Sequence, residues 1–236
     1  MSDNIDTRFS PALHPENVRG IDGYDDETRS YLAPTEEAFT AAYTGITAVW
    51  DTRAVLDKDT SRNDDAKVLQ LDALAGKQLL HITSTFDRAR GNLVKAIDGI
   101  ERELTAPVQS RAGVAVAGEI RSYCNALPTD KQLGFIERAI NSGDETTIGA
   151  LLGAPPYLSG LTPEMQQAWT KIYREKNMPD KAKRLRAMQG AVDMIEQRAG
   201  LVFSALEKAV GAPRHKIQRL REASTAAEKA LIMAQP

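Results

Sequence analysis

The stretch AGKQLLHITSTFDRARGNLVKAIDGI, residues 75–100, decides the fold of this 236-residue chain. Small or apolar side chains recur along it at alternating spacings of four and three, at Ala75, Leu79, Ile82, Phe86, Ala89, Leu93, Ala96 and Ile100. This is the a/d pattern of a coiled coil or long bundle helix, sustained over more than three heptads. It predicts a long second helix that ends near Pro107, because a proline ring clashes with the preceding helical turn.

A second seam of the same kind lies near the C-terminus, at Leu185, Met188, Val192, Ile195, Ala199, Val202, Leu206 and Ala209, and it resumes after Pro213. A first amphipathic helix is predicted from Thr35, as N-cap after Pro34, to about Leu56. These helices predict an all-α protein built on an antiparallel long-helix bundle or coiled coil. Whether the two seams pair within one chain or between chains stays open.

Between the seams the predicted helices become short, which indicates a small helical head inserted into the bundle. Pro128 and the NSGD turn at 141–144 separate its helices, and Thr162 and Pro163 form a typical helix start. We therefore predict an N-terminal arm over 1–34, a bundle over 35–106 and 180–236, and a head over 107–179.

Residues 1–34 show no helical periodicity and carry spaced prolines and glycines. Up to Glu37 the segment has nine Asp or Glu and three Arg. Two interpretations stay open: a disordered acidic tail, or an extended arm that packs its apolar residues against a neighbour. In the second case the partner-binding residues are Phe9, Leu13, Ile21, Tyr24 and Tyr31.

The loop GALLGAPPYLSGLTPEM, residues 149–165, interrupts the helical head. We expect Gly153 to end a helix in the left-handed conformation, and the two prolines after it to keep the next residues extended. Tyr157, Leu158 and Leu161 would then fill the core of the head as a plug. The alternative is a knob offered to a partner, with Tyr157 and Leu158 as the contact residues.

The composition argues against several chemistries. The three histidines are far apart and outside known metal spacings, one cysteine supplies no zinc framework, and Ser159 lacks a nucleophile-elbow motif. Cys124 lies on a predicted apolar helix face and is interpreted as a buried small side chain. We expect no enzyme activity, no metal and no cofactor.

The chain also lacks the sequence marks of export and membrane insertion. No apolar run is long enough to span a bilayer, and the N-terminus does not resemble a signal peptide. The single cysteine fits a reducing cytosol. We expect a soluble protein that is not secreted by a signal peptide.

Basic residues concentrate in the C-terminal third. From Glu164 to Arg221 there are thirteen Lys or Arg and six Asp or Glu, although the whole chain has a net charge of −2. This face is either simply solvated, or bound by the acidic arm of another copy, or in contact with nucleic acid over 171–221. The candidate phosphate contacts are Lys181, Lys183, Arg184, Arg186, Arg214, Lys216 and Arg219.

Residues 119–165, EIRSYCNALPTDKQLGFIERAINSGDETTIGALLGAPPYLSGLTPEM, resemble stretches of uncharacterised helical proteins of tailed bacteriophages and prophages. The shared features are the ALP break, a helix, GD, a second helix and LGAPPYLSGLTPE. The resemblance implies a phage origin and gives no residue a role. It favours a non-enzymatic virion or morphogenesis protein that binds itself or other virion proteins, in the host cytoplasm or the virion. A nucleic-acid-associated accessory factor is the alternative.

Overall fold

The computed structural model describes residues 6–109 and 114–233, and within them it contains nine α-helices, three short 3-10 helices and no strand. The all-α prediction is confirmed. The α-helices are α1 Arg29–Leu56, α2 Asp64–Gln109, α3 Val114–Asn125, α4 Thr129–Ser142, α5 Glu145–Leu152, α6 Pro163–Asn177, α7 Pro179–Arg198, α8 Leu201–Val210 and α9 Arg214–Met233. The 3-10 helices are Pro11–Leu13, Pro15–Gly20 and Pro156–Leu158.

The chain divides into two compact units. Unit 1 comprises residues 1–93 and 190–236, and unit 2 comprises residues 94–189. The divisions fall inside α2 and α7, whereas the sequence had placed the head between 107 and 179. The boundaries of unit 2 therefore differ from those predicted for the head. A long helix carries no local sequence signal at the point where its packing partner changes.

Unit 1 is a bundle whose helices alternate in direction. In α1 and α2 the contacts run in opposite order, since Phe39 packs edge to face on Phe86 at 5.0 Å while Gly45 faces Ile82. The a/d positions Ile82, Phe86, Ala89 and Leu93 are buried, as the seam predicts.

The remaining helices of unit 1 complete the alternation. Ion pairs join Asp65 to Lys216 at 2.9 Å and Asp72 to Arg221 at 2.5 Å, so α9 runs parallel to α2. In α8 the C-terminal carbonyl groups of residues 208 and 209 accept hydrogen bonds from Arg53 of α1, at 3.3 Å each. The bundle therefore forms within one chain.

A helix start predicted from a proline is wrong. Helix α1 begins at Arg29, with Pro34 inside its second turn, because buried Thr28 anchors the helix start through a 2.7 Å hydrogen bond to the carbonyl of Gly23. Helix α2 reaches Gln109, close to the end that the sequence predicts near Pro107. The second seam is also interrupted, since α7 ends at Arg198 and α8 begins at Leu201.

The N-terminal segment, residues 6–28, is not an extended arm. It forms two 3-10 helices that pack on α1, and its apolar residues Phe9, Leu13 and Ile21 are buried in unit 1 of their own chain. The ring of Phe9 packs edge to face on Tyr43 at 5.2 Å. These three predicted partner contacts are thus corrected to contacts within the chain, because the segment finds an apolar surface on α1.

Two contacts with α7 also hold the segment. Arg198 of α7 donates to the carbonyl of Ala12 at 3.1 Å, and the side chain of Ile21 lies against Gly190. Tyr24 is half-buried and Tyr31 is exposed on α1. Residues 1–5 of the predicted arm lie outside the described residues.

Unit 2 has its own hydrophobic core, built from α3, α4, α5 and α6. Its buried members are Cys124, Ile136, Ala139, Ile140, Ile148, Leu151, Leu152, Leu161 and Tyr173. This core supports the loop that joins α5 to α6.

Candidate protein-interaction site

The loop between α5 and α6, residues 153–162, leaves the helix differently from the sequence prediction. Gly153 has φ −86° and ψ −3°, so it is right-handed and the predicted left-handed cap is wrong. Pro155 is extended, but Pro156 already begins the 3-10 helix. The left-handed residue is Gly160, at φ +70°.

Buried polar side chains hold the backbone of this loop. Gln132 of α4 donates to the carbonyl of Ser159 at 2.8 Å, and the hydroxyl of Ser159 donates to the carbonyl of Leu151 at 3.3 Å. Gln132 and Ser159 are both buried. A buried amide is costly unless it is hydrogen-bonded, so these bonds select one loop conformation.

A second glutamine fixes the beginning of the loop. Gln166 of α6 donates to the carbonyls of Leu152 at 3.0 Å and Ala154 at 2.6 Å. Thr162 caps α6 by accepting from the amide of Met165 at 3.2 Å, as the sequence predicts. The loop is therefore attached to α4, α5 and α6, and sequence reasoning missed the two glutamines because nothing local marks a long-range amide contact.

The apolar residues of the loop divide between core and solvent. Leu161 is buried in the core of unit 2, as the plug interpretation expects. The side chains of Tyr157 and Leu158 are 74% and 44% exposed, so for these two residues the plug interpretation is wrong. The 3-10 helix directs them outwards while the backbone beneath them stays fixed.

More exposed apolar surface lies on α3, which packs against the same 3-10 helix. Val116 and Tyr123, seven residues apart and so on one face of α3, are both largely exposed, and Tyr123 packs edge to face on Phe135 at 5.3 Å. Exposed aromatic and aliphatic residues of this kind are typical of protein–protein contact surfaces.

Unit 1 carries an apolar groove of about 370 Å³ between α2, α8 and α9. Its apolar lining includes Leu79, Phe203, Leu206, Val210 and Ile217, with Gly76 beside them. The side chain of Phe203 is 49% exposed at its edge. Leu79 is a seam position, which the sequence predicts to be packed, but it stays only half-buried within the bundle.

The charges at the edge of the groove are paired with one another. Arg221 binds Asp72 at 2.5 Å, and Arg214 binds Glu207 at 3.1 Å. The charged residues at the edge of the groove, two Arg and two carboxylates, thus form two ion pairs.

The predicted phosphate contacts are divided between the two units. Lys181, Lys183, Arg184 and Arg186 belong to unit 2, whereas Arg214, Lys216 and Arg219 belong to unit 1. Four of the seven bind carboxylates of the same chain: Lys181 binds Glu103, Arg186 binds Glu175, Arg214 binds Glu207 and Lys216 binds Asp65. This local neutralisation weakens their attraction for a phosphate backbone.

The two nucleophilic side chains that the sequence raised have structural roles. Cys124 is fully buried in the core of unit 2, and this burial raises the pKa of its thiol. Ser159 is buried and uses its hydroxyl to hold the loop. Neither side chain is presented to a substrate.

Two further observations concern residues 6–109 and 114–233 only. No helix there combines the length and the apolar character that a membrane crossing requires. No group of three or more His, Cys, Asp or Glu side chains there is arranged to hold a metal ion.

No protein-family model matches this chain, no curated protein matches its sequence, and no solved structure matches its fold.

Proposed function

We propose that this protein is a non-enzymatic assembly component that binds a protein partner through Tyr157 and Leu158. The observation that carries the proposal is the pair of exposed side chains on a loop whose backbone is held by Gln132, Ser159 and Gln166. An exposed tyrosine on a fixed backbone is ready to serve as an anchor.

The energetics favour this arrangement. Burying one large apolar side chain at an interface contributes about 1.5–3 kcal/mol, and tyrosine is enriched among the residues that dominate binding. A loop that is already ordered loses less entropy when it binds, so more of this gain appears as affinity. Tyr123 and Val116 of α3 extend the apolar surface.

The resemblance to phage proteins, which includes the LGAPPYLSGLTPE loop itself, supports a proposal for the class of assembly. We place the protein among virion or morphogenesis components of tailed phages, acting in the host cytoplasm or the virion. The nucleic-acid alternative has less support, because the predicted cations bind carboxylates of their own chain.

Photo-crosslinking from the loop tests the proposal. The variant Tyr157→p-benzoylphenylalanine places a reactive aromatic group at the proposed contact. The matched control is Ile172→p-benzoylphenylalanine, on α6 of the same unit, where the native side chain is 45% exposed. We expect a specific crosslinked protein from position 157 and none from position 172, in the purified protein or in the cells that produce it. Absence of any crosslink from position 157 in both settings would contradict the proposal.

A further inference from the structure

We propose that the partner of the Tyr157–Leu158 loop is a second copy of this chain, and that the loop binds in the unit 1 groove of that copy. This inference rests on the proposed function and adds the identity of the receiving surface. It joins two apolar features of the described residues: the exposed Tyr157–Leu158 loop on unit 2 and the groove on unit 1.

The two surfaces match in size and in chemistry. The groove of about 370 Å³ is lined by Leu79, Leu206 and Val210 and lies in the size range of pockets that enclose a compact ligand. A tyrosine and a leucine side chain form an insert of that scale, and the aromatic ring of Phe203 at the edge offers an edge-to-face partner for Tyr157.

The two surfaces also match in charge. The stretch 146–163, which contains the loop, has no charged residue. At the edge of the groove, Arg221 and Arg214 are already paired with Asp72 and Glu207. The loop therefore brings no charge into the groove, and an insert seated on the apolar lining leaves these two ion pairs at the edge in contact with water. A strongly charged partner segment would not gain from this groove in the same way.

The geometry of the association follows from the location of the two surfaces. The knob and the groove are different surfaces on different units, so a contact between copies is heterologous and leaves one knob and one groove free on each pair. Further copies add in the same way, until the assembly closes into a ring or continues as a filament.

A substitution that places a larger side chain in the groove tests the inference. Gly76 lines the groove, and a Cβ built on it meets nothing within 4 Å, so we expect the side chain of Gly76→Leu to occupy part of the groove. Gly91, on the same helix and outside the groove, also has nothing within 4 Å of an added Cβ. Gly91→Leu is therefore the matched control.

Light scattering on the purified full-length chain over a wide range of concentration measures the result. We expect the wild type and Gly91→Leu to gain mass as concentration rises, and Gly76→Leu and Tyr157→Ala to stay at the mass of one chain. An equal mixture of Gly76→Leu and Tyr157→Ala should form a complex of two chains. Gly76→Leu supplies an intact loop, and Tyr157→Ala supplies an open groove.

Three outcomes would overturn the inference: a wild type that stays monomeric at every concentration, a Gly91→Leu variant that loses association as fully as Gly76→Leu, or a mixture that forms no pair. The crosslinking experiment separates the two proposals. If position 157 crosslinks to a different protein while the wild type stays monomeric, the self-association proposal is contradicted and the proposed function stands. Absence of crosslinks and of association removes both.

Discussion

Tyr157 and Leu161 lie four residues apart in one loop and should respond oppositely to truncation. Tyr157→Ala should change the free energy of unfolding by no more than about 0.5 kcal/mol, because its side chain is 74% exposed. Leu161→Ala should lower it by about 2–5 kcal/mol, because that side chain fills the core of unit 2. Urea unfolding followed by Trp169 fluorescence, in a Trp50→Phe background, reports on unit 2. A loss of about 3 kcal/mol in Tyr157→Ala would restore the plug interpretation.

Gly160 and Gly143 allow a paired test of how the loop is held. Both have φ +70°, so alanine costs each about 1–2 kcal/mol in backbone strain. At Gly160 an added Cβ would also lie 2.5 Å from the Oδ1 atom of Asn125, whereas at Gly143 it meets nothing within 4 Å. Gly160→Ala should therefore destabilise unit 2 more than Gly143→Ala in the same urea assay. Equal losses would mean that the Asn125 side chain moves aside without cost.

Single residues of the loop show why the sequence predicted only part of the site. Residue type identified Tyr157 and Leu158 as candidates, and the helix start at Thr162 has a local signature. The direction of Tyr157 depends on the bonds that Gln132 and Gln166 make across the fold. Contacts between residues so distant in sequence leave no pattern in a single chain.

At the scale of one element, α5 depends on its N-cap, Asp144. The side chain of Asp144 accepts from the hydroxyl of Thr147 at 2.6 Å and from its backbone amide at 3.0 Å. These bonds lower the pKa of Asp144 below its ordinary value of 3.8. Asp144→Ala should lower the free energy of unfolding by about 1 kcal/mol at neutral pH.

The same cap predicts a pH dependence. A carboxyl group whose pKa is lower in the folded state stabilises the fold above its unfolded pKa, and the stabilisation is lost as the pH falls through the folded pKa. The contribution of Asp144 should be complete at neutral pH and decline from about pH 4 downwards. Asp144→Asn keeps the cap acceptor without this titration, so its stability relative to the wild type should rise as the pH falls. A constant difference between the two from pH 7 to pH 3 would contradict this.

The sequence predicted a helix correctly where the apolar a/d spacing that stabilises it lies within that helix. The α2 seam buries Ile82, Phe86, Ala89 and Leu93 as its spacing requires. Helix starts inferred from a proline alone were less reliable, since buried Thr28 supports a start of α1 ahead of Pro34. The groove could not be predicted from the sequence. Leu79 and Phe86 occupy equivalent seam positions, yet Phe86 is buried and Leu79 is half-buried, because burial at each position depends on where α8 and α9 pack.

For the whole molecule, the N-terminal segment should matter to stability. Leu13 is fully buried in unit 1, so Leu13→Ala should lower the free energy of unfolding by about 2–5 kcal/mol. Leu80→Ala, at a leucine that is 73% exposed in the same unit, should change it by no more than about 0.5 kcal/mol. Fluorescence of Trp50 in a Trp169→Phe background follows this unit. Equal, small effects would mean that residues 6–28 do not form part of the folded bundle.

The discontinuity of unit 1 has a consequence for how the protein is made. Leu13 and Ile21 are translated before unit 2, yet Ile21 packs beside Gly190 and Ala12 is bound by Arg198, both of which are translated after it. The 96 residues of unit 2, from 94 to 189, are translated between the two halves of unit 1. At 5–20 residues per second this takes about 5–20 s. Unit 2 is contiguous and can fold during that interval, whereas the nascent bundle must wait, with apolar residues at its N-terminus uncovered, until its last helices emerge.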